Sequence, residues 1–289
     1  MKQQLKQQNS LSLGTVTLNV KNLTGLHHFY ETVIGLSTLD ESSHSVVLGI
    51  KENQLPLVRL NKVLTPMVNK RETGLYHLAF LLPSRVALGG MLRHLIMTQS
   101  PLIGAADHGY SEAIYLEDPE GNGIEIYTDK ETRYWDVRDN GEIKGISVEM
   151  DAKSMLEAAP TPLEKMPVGT IMGHVHLSVA DLSANDRFYR DVLGFQLTDD
   201  LGGSARFYAK DGYHHHIGTN SWNGTGLTKR KTDDLGIAYY EMIWAEDTFF
   251  NEAKKQLQLN QFPVTTITDT RFKTIDPNGI TIHMTHKKS

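Results

Sequence analysis

An internal repeat constrains the fold of this chain more than any other feature. Residues 13–36 align without gaps on residues 172–195, an offset of 159 residues. In each copy an alternating segment predicts a strand, and an Asn or Asp then precedes an amphipathic run ending in Gly, which predicts a helix. The positions identical in both copies are Gly14, Val16, Leu18, Val20, Leu23, Phe29, Tyr30, Val33 and Gly35.

A weaker correspondence joins residues 74–83 to residues 236–245. Each of these segments is followed by a helical stretch and then by a turn and a strand, "DPEGNGIEIY" in one half and "DPNGITIHM" in the other. We align the second turn as two residues shorter. The chain is therefore expected to contain four βαβββ modules separated by a polar linker. The expected ranges are 11–62 and 74–130 in a first half (11–130), 131–170 for the linker, and 171–222 and 234–286 in a second half (171–286).

The predicted fold class is α+β. A βαβββ module buries only one face of its small sheet, so two modules are expected to pair into a cupped half-barrel. Four modules would give two such cups. An unrelated α+β fold with chance similarity is the alternative, and the nine identities in 24 positions argue against it.

The repeat also serves as a control for functional residues. Side chains needed only for packing should match between copies, whereas a polar residue found in one copy alone needs another reason. We aligned the unmatched polar residues as His77 with Tyr239, Glu125 with Thr281, His174 with Thr15, Tyr115 with Lys273, and His214 and His215 with Leu55 and Pro56.

The unmatched residues include His77, His174 and Glu125, which make up a two-histidine, one-carboxylate ligand set for a divalent metal. They fall in modules 2 and 3, so the sequence predicts that these modules share the metal-bearing cup and that modules 1 and 4 form a degenerate one. His176 competes with His174, because residues i and i+2 of a strand face the same way. We interpreted the other histidines as ordinary, namely His27, His28, His44, His94 and His283.

Composition excludes several classes of function. The formal charge of −5 comes without any Lys/Arg-rich block, so no nucleic-acid partner is expected. No apolar run is long enough to span a membrane, and the first residues lack the apolar core of a secretory signal. The absence of cysteine excludes disulfides and thiolate chemistry and is consistent with an expected cytoplasmic location. The composition is compatible with a homo-oligomer.

Three segments carry a resemblance to a known family: "GHVHLSVADL" with "FYRDVLGF", then "YHHHIG", and "DHGYSEAIYLEDPEGNGIEIY". The chain resembles the vicinal oxygen chelate (glyoxalase/bleomycin resistance/dioxygenase) superfamily, and most of all its four-module extradiol catechol dioxygenases. The likeness spans about 13–130 and 171–285.

The resemblance implies Fe(II), with another divalent metal still open, held by His77, His174 and Glu125. It implies that Tyr115 hydrogen-bonds the substrate and that His215 acts as acid and base. His108 is implied to line the site. The implied substrates are a small aromatic diol and O2, and the implied product is a muconic semialdehyde. One departure is that the two-domain extradiol enzymes place their metal between modules 3 and 4.

Two other functions fit the same resemblance. One is a glyoxalase-like isomerase, lyase or hydrolase using Zn(II) or Ni(II), which usually needs a fourth protein ligand. The other is a non-catalytic ligand-binding or resistance protein, which needs no metal ligands at all. The run His214, His215 and His216 favours the extradiol prediction, and the sequence leaves open whether His176, His214 or His216 contacts metal or substrate.

Overall fold

The structure is a computed structural model that describes residues 10–65, 71–224 and 226–287. The first nine residues, on which the expectation of no secretory signal partly rests, lie outside these ranges. Within the described ranges, no helix is both long and apolar enough to cross a membrane.

The first half of the chain forms two βαβββ modules. Module 1 consists of β1 Leu11–Val20, α1 Leu23–Thr32, β2 Ser37–Glu41, β3 Ser45–Ile50 and β4 Leu55–Lys62. Module 2 consists of β5 Gly74–Leu81, α2 Arg85–Met97, β6 Leu102–Asp107, β7 Ser111–Glu117 and β8 Gly123–Asp129.

The segment between the halves, which we expected to be a polar linker, carries short elements of its own. These are a 3₁₀ turn Thr132–Tyr134, β9 Asp136–Val137, β10 Ile143–Lys144, β11 Val148–Glu149 and α3 Ala152–Ala158. Helix α3 packs on α2, where Arg93 donates to the carbonyls of Leu156 and Ala159.

The second half repeats the arrangement of the first. Module 3 consists of β12 Ile171–Ser178, α4 Leu182–Asn185 continuing as a π-helical segment Asp186–Val192, β13 Gln196–Asp200, β14 Ala205–Ala209 and β15 Ile217–Asn220. Module 4 consists of β16 Gly236–Trp244, α5 Asp247–Leu259, β17 Thr265–Thr268, β18 Arg271–Ile275 and β19 Thr281–His286.

The modules pair across the halves, which confirms the predicted cross-pairing. Modules 1 and 4 form an eight-stranded sheet in the order β17-β18-β19-β16-β1-β4-β3-β2. Modules 2 and 3, with β11 at one edge, form a nine-stranded sheet in the order β11-β6-β7-β8-β5-β12-β15-β14-β13. In both sheets the first strands of the two modules are antiparallel neighbours, so each sheet curls into one cup. We name these the first cup (modules 2 and 3) and the second cup (modules 1 and 4).

The tyrosine of the repeated Phe-Tyr pair connects its helix by a hydrogen bond to the turn that precedes β8 in one half and β19 in the other. The Tyr30 hydroxyl donates to Asp118, and the Tyr189 hydroxyl donates to Asp276. Each of these aspartates also accepts from backbone amides of its own turn. The same residues recur because the same buried turn must be satisfied in each half.

The two turns have equal length, and this corrects one alignment made from sequence. Asp118 accepts from the amide of Asn122, whereas Asp276 accepts from that of Ile280, so Asn122 corresponds to Ile280. The strand partners agree, because Tyr115 lies opposite Glu125 and its counterpart Lys273 lies opposite His283. The counterpart of Glu125 is therefore His283, and our alignment with Thr281 was wrong. Our alignment matched the Asn-Gly pairs of the two turns and therefore placed a gap in the second turn. The backbone shows that the two turns have the same number of residues.

Candidate active site

Strand β8 places Glu125 on the inner face of the first cup. Its neighbours Ile124 and Ile126 belong to the main hydrophobic core, and alternation along the strand points Glu125 the other way. The row across the sheet is His174, Ala79, Glu125 and Tyr115, on β12, β5, β8 and β7 respectively. This register brings residues far apart in sequence onto one concave surface.

Three side chains converge on that surface. Glu125 Oε2 lies 3.0 Å from His77 Nε2 and 3.1 Å from His174 Nε2, and the two nitrogens are 3.2 Å apart. All three residues are buried. Within the described residues this is the group of histidine and carboxylate side chains that could hold a metal ion, and no fourth such residue joins it.

The triangle fits a metal better than it fits hydrogen bonding. Two of its three edges involve the carboxylate; if both imidazoles donate to it, the third edge sets their two N–H groups against each other. Three ligand atoms about 2.1 Å from one ion, at roughly right angles, would lie about 3.0 Å apart, which is close to the observed edges. A divalent ion would accept a lone pair from all three atoms.

Small residues make room for this arrangement. Ala79 lies between His174 and Glu125 in the register, whereas its counterpart in the second cup is Glu241, which is paired with Arg271. At Gly173, a β-carbon would overlap the hydroxyl of Tyr127, whose ring packs 4.9 Å from that of His174. Residue 79 carries only a methyl group and residue 173 has no side chain. The side chains of His77, His174 and Glu125 therefore have space to approach one another.

Burial and mutual contact set the charges of the three residues. Burial would raise the pKa of Glu125, but His174 and His77 outweigh it and hold that pKa well below its usual value. Burial lowers the pKa of His174 to about 4, despite the opposing attraction of Glu125. Near neutral pH, Glu125 is therefore an ionised carboxylate beside the neutral imidazole of His174, which is the state in which these two groups coordinate a metal.

The buried histidines predict a pH-dependent stability for the metal-free protein. Burial lowers the pKa of His174 and His283 to about 4 and that of His216 to about 3, against roughly 6.5 in an unfolded chain. Between these values the unfolded chain binds more protons, so the free energy of unfolding should fall as the pH drops from about 6.5 towards 4. Asp276, whose pKa burial raises to about 6, offsets part of this loss.

Urea denaturation of the metal-free protein at pH 7, 5.5 and 4.5 measures this effect. His283→Gln, in the second cup, should make the fall shallower because it removes one of the depressed histidines. Equal stability at pH 7 and pH 4.5 would contradict the prediction.

Tyr115 and His108 form a hydrogen-bonded pair beside the metal group. The Tyr115 hydroxyl lies 2.6 Å from His108 Nε2, and His108 Nδ1 lies 2.9 Å from the carbonyl oxygen of Ile146. A carbonyl can only accept, so Nδ1 of His108 carries a hydrogen; with that single hydrogen on the ring, Nε2 accepts from Tyr115. The Tyr115 oxygen keeps its lone pairs for a hydroxyl group in the cavity.

His215 also faces the site. Its ring lies 4.2 Å from that of His174 and 4.9 Å from that of Phe207. Burial, together with the neighbouring histidines, lowers the pKa of His215 well below its usual value. It is therefore a neutral imidazole at the cavity wall.

The other candidate histidines differ in whether they line the cavity. His176 lines the cavity, with its ring 4.9 Å from that of His77, but it does not join the metal group. The ring of His214 lies behind that of His215 and is hydrogen-bonded to Asp129. His216 accepts a hydrogen bond from the backbone of Lys210. In the second cup, His283 stacks on Tyr239 and bonds to Arg271.

The cavity over the metal group has a volume of about 580 Å³. Its outer wall is largely apolar, and residues 145–147 of the expected linker supply part of it. Lys144 and the amide of Gly145 hold this wall by hydrogen bonds to Asp199. Sequence reasoning missed this wall and Asp129, because no local pattern marks either. The apolar residues of the lining include Tyr76, Ile103, Leu116, Ile146, Leu201, Phe207 and Trp222.

Comparisons with known proteins agree with this fold. The family model of the Glyoxalase/Bleomycin resistance protein/Dioxygenase superfamily matches residues 12–126 and 171–284. A protein named catechol-2,3-dioxygenase from Bacillus subtilis (strain 168) is 37% identical over 234 residues, 80% of this chain and 82% of that protein.

Solved structures show the same fold at low sequence identity. A crystal structure of a Bacillus subtilis protein matches with a TM-score of 0.65 and 12% identity, over 97% of this chain and 86% of that one. Glyoxalase I from Zea mays matches with a TM-score of 0.57 and 13% identity, over 96% of this chain and 92% of that one. The duplicated βαβββ modules, the two cups and the family match together show that this chain belongs to the Glyoxalase/Bleomycin resistance protein/Dioxygenase superfamily.

Proposed function

We propose that the protein is an extradiol dioxygenase that uses Fe(II), bound by His77, His174 and Glu125, to open the ring of a catechol. The observation that carries the proposal is the triangle of three ligand atoms beneath a cavity whose outer wall is largely apolar. The 37% identity to a protein named catechol-2,3-dioxygenase supports the same reaction. The proposed reaction adds both atoms of O2 to the diol and breaks the carbon–carbon bond next to it, giving a muconic semialdehyde.

Bound Fe(II) would supply open positions for the two diol oxygens and for O2. The side chains around it would then handle protons and orientation. His215 would accept a proton from the substrate and return it later in the reaction. Tyr115, held by His108, would accept a hydrogen bond from a diol hydroxyl group. The apolar wall would orient the ring and exclude water.

A glyoxalase-like isomerase is less well supported. That chemistry usually needs a fourth protein ligand, and the metal group of the described residues has three members. A purely ligand-binding protein would not need to bury a carboxylate against two histidines, because burying a charge has a large free-energy cost unless it is paired.

Anaerobic reconstitution tests the proposed function. The purified protein is loaded with Fe(II), mixed with catechol and then exposed to air while the absorbance of the yellow ring-opened product is followed. Colour should appear with Fe(II) and should be much weaker after loading with Zn(II). No product from any catechol tested, despite bound iron, would reject the proposal.

The lining also predicts which diols are preferred. None of the described residues that line the cavity is Lys or Arg, and the exposed Glu117 places a carboxylate at its edge. A carboxylate on the substrate would therefore meet apolar surface and negative charge. We expect kcat/KM for an alkyl-substituted catechol to exceed that for a carboxylated one by at least about tenfold, which is about 1.4 kcal/mol.

Glu117→Gln tests the electrostatic part of this preference. It should narrow the ratio between the two substrates, because it removes a negative charge from the cavity edge. A wild-type preference for the carboxylated diol would contradict the prediction.

A further inference from the structure

Asp129, His214 and His215 form a hydrogen-bonded chain that runs away from the cavity. Asp129 Oδ1 lies 2.9 Å from His214 Nε2, and His214 Nδ1 lies 2.8 Å from His215 Nδ1. The His214 side chain is fully buried, whereas Asp129 is partly exposed. The chain thus begins at His215 in the cavity wall and ends at a carboxylate near the surface.

The donor and acceptor roles along this chain can be assigned. An ionised carboxylate can only accept, so Nε2 of His214 carries a hydrogen. With that single hydrogen on the His214 ring, its Nδ1 is bare and accepts from Nδ1–H of His215 across the 2.8 Å contact. Neutral His215 carries one hydrogen, so its Nε2 is bare and has a lone pair.

We propose that Asp129 is a positioning residue that acts through His214 to keep the His215 hydrogen on Nδ1 and leave Nε2 free as the proton acceptor. This inference rests on the proposed function, in which His215 exchanges protons with the diol. Without the carboxylate, the two hydrogens could redistribute, and His215 would spend part of its time with Nε2 protonated and unable to accept.

The packing around His214 fixes its ring. It stacks on Tyr110 at 4.3 Å between ring centres with planes 11° apart, and the tilted ring of Tyr213 lies 4.0 Å away. A fully buried imidazole packed against two aromatic rings has little room to rotate, so it changes its hydrogen-bond direction by moving a hydrogen. The orientation of His215 therefore depends on which nitrogen of His214 is protonated.

The second cup shows that the fold does not require this chain. In the alignment of the repeated modules, Leu55 and Pro56 occupy the positions of His214 and His215, and Lys287 follows β19 at the position where Asp129 ends β8. None of these side chains can relay a hydrogen bond, yet the same strands form. The three residues therefore serve something present in the first cup alone.

Nuclear magnetic resonance of the metal-free protein tests the assignment directly. Long-range ¹H–¹⁵N spectra of protein labelled with ¹⁵N-histidine distinguish the two neutral tautomers, and single His→Asn variants assign the signals. We expect the hydrogen on Nδ1 in His215 and on Nε2 in His214. A His215 hydrogen on Nε2 in the wild-type protein would overturn the proposal. This readout needs no activity, so it remains decisive if the Fe(II)-loaded protein cleaves no catechol.

Kinetics of the Fe(II)-loaded protein give a second test. Asp129→Asn should lower kcat by about tenfold to a hundredfold, with little change in KM or iron content. His214→Leu, which copies the second cup, should lower kcat similarly. His214→Asn should restore much of it, because an amide oxygen can accept from Nδ1–H of His215 at the place of the lost nitrogen.

A double variant separates positioning from packing. In the His214→Asn background, Asp129→Asn should cause no further loss, since the acceptor no longer depends on the carboxylate. Glu31→Gln, at a carboxylate paired with His27 in module 1, is the matched control and should leave kcat unchanged. Wild-type kcat in both Asp129→Asn and His214→Leu would also overturn the proposal.

Discussion

Glu125→Gln is expected to remove metal binding while leaving the fold intact. The carboxylate is the single anionic member of the three ligand groups, and an amide of the same shape offers a much weaker oxygen donor. Removing a residue that only hydrogen-bonds to a metal ligand typically lowers metal affinity by about tenfold to a hundredfold. Removing the ligand itself should therefore lower the metal affinity by more than about a hundredfold. The metal content of protein purified after Fe(II) reconstitution should fall from one ion per chain to almost none.

The second cup supplies the matched control for this variant. His283→Gln changes the structurally equivalent position and should leave the metal content at the wild-type level. The metal-free Glu125→Gln protein should keep the circular-dichroism spectrum of the wild type but unfold at a lower urea concentration at neutral pH, because the depressed pKa of Glu125 means that the folded state favours its ionised form. Wild-type iron affinity in Glu125→Gln would show that the metal lies elsewhere.

His215→Asn is expected to lower kcat strongly without affecting metal binding. A positioned acid or base contributes about a hundredfold to ten-thousandfold to a rate, and Asn can occupy the space without exchanging a proton near neutral pH. Steady-state turnover of a catechol should fall within that range while the iron content stays at one ion per chain. A retained iron content separates this effect from the loss of a ligand.

His216→Asn is the control for a buried histidine in the same run. The His216 imidazole accepts from the amide of Lys210, and an Asn side chain can accept there too, so its kcat should stay within about threefold of wild type. Equal losses in His215→Asn and His216→Asn would indicate a general disturbance of the strand and would contradict a proton-transfer role for His215.

Comparison of corresponding positions in the repeated modules predicted much of the site. The two copies of the strand–helix segment predicted the modules, and the uneven distribution of His77, His174 and Glu125 predicted that modules 2 and 3 share a cup. The structure confirms that pairing and brings the three side chains together. The prediction was possible because duplicated modules keep their packing residues, so an unmatched polar residue stands out.

Other parts of the site have no local signal in the sequence. The wall formed by residues 145–147, the Asp129–His214 contact and the approach allowed by Ala79 depend on strands and loops that meet only after folding. The correspondence of Glu125 with His283 was also hidden, because the Asn-Gly pair occurs at different places in turns of equal length.

By itself, the sequence determined the α+β modules, their number and the residues able to bind a metal, since hydrophobic periodicity, capping residues and the repeat are local properties. The tertiary structure decided which atoms meet: the ligand triangle with edges of 3.0–3.2 Å, the hydrogen directions through His108 and His214, and the charge of the cavity wall. These depend on register between strands, and a shift of one residue would turn every one of these side chains to the opposite face of the sheet.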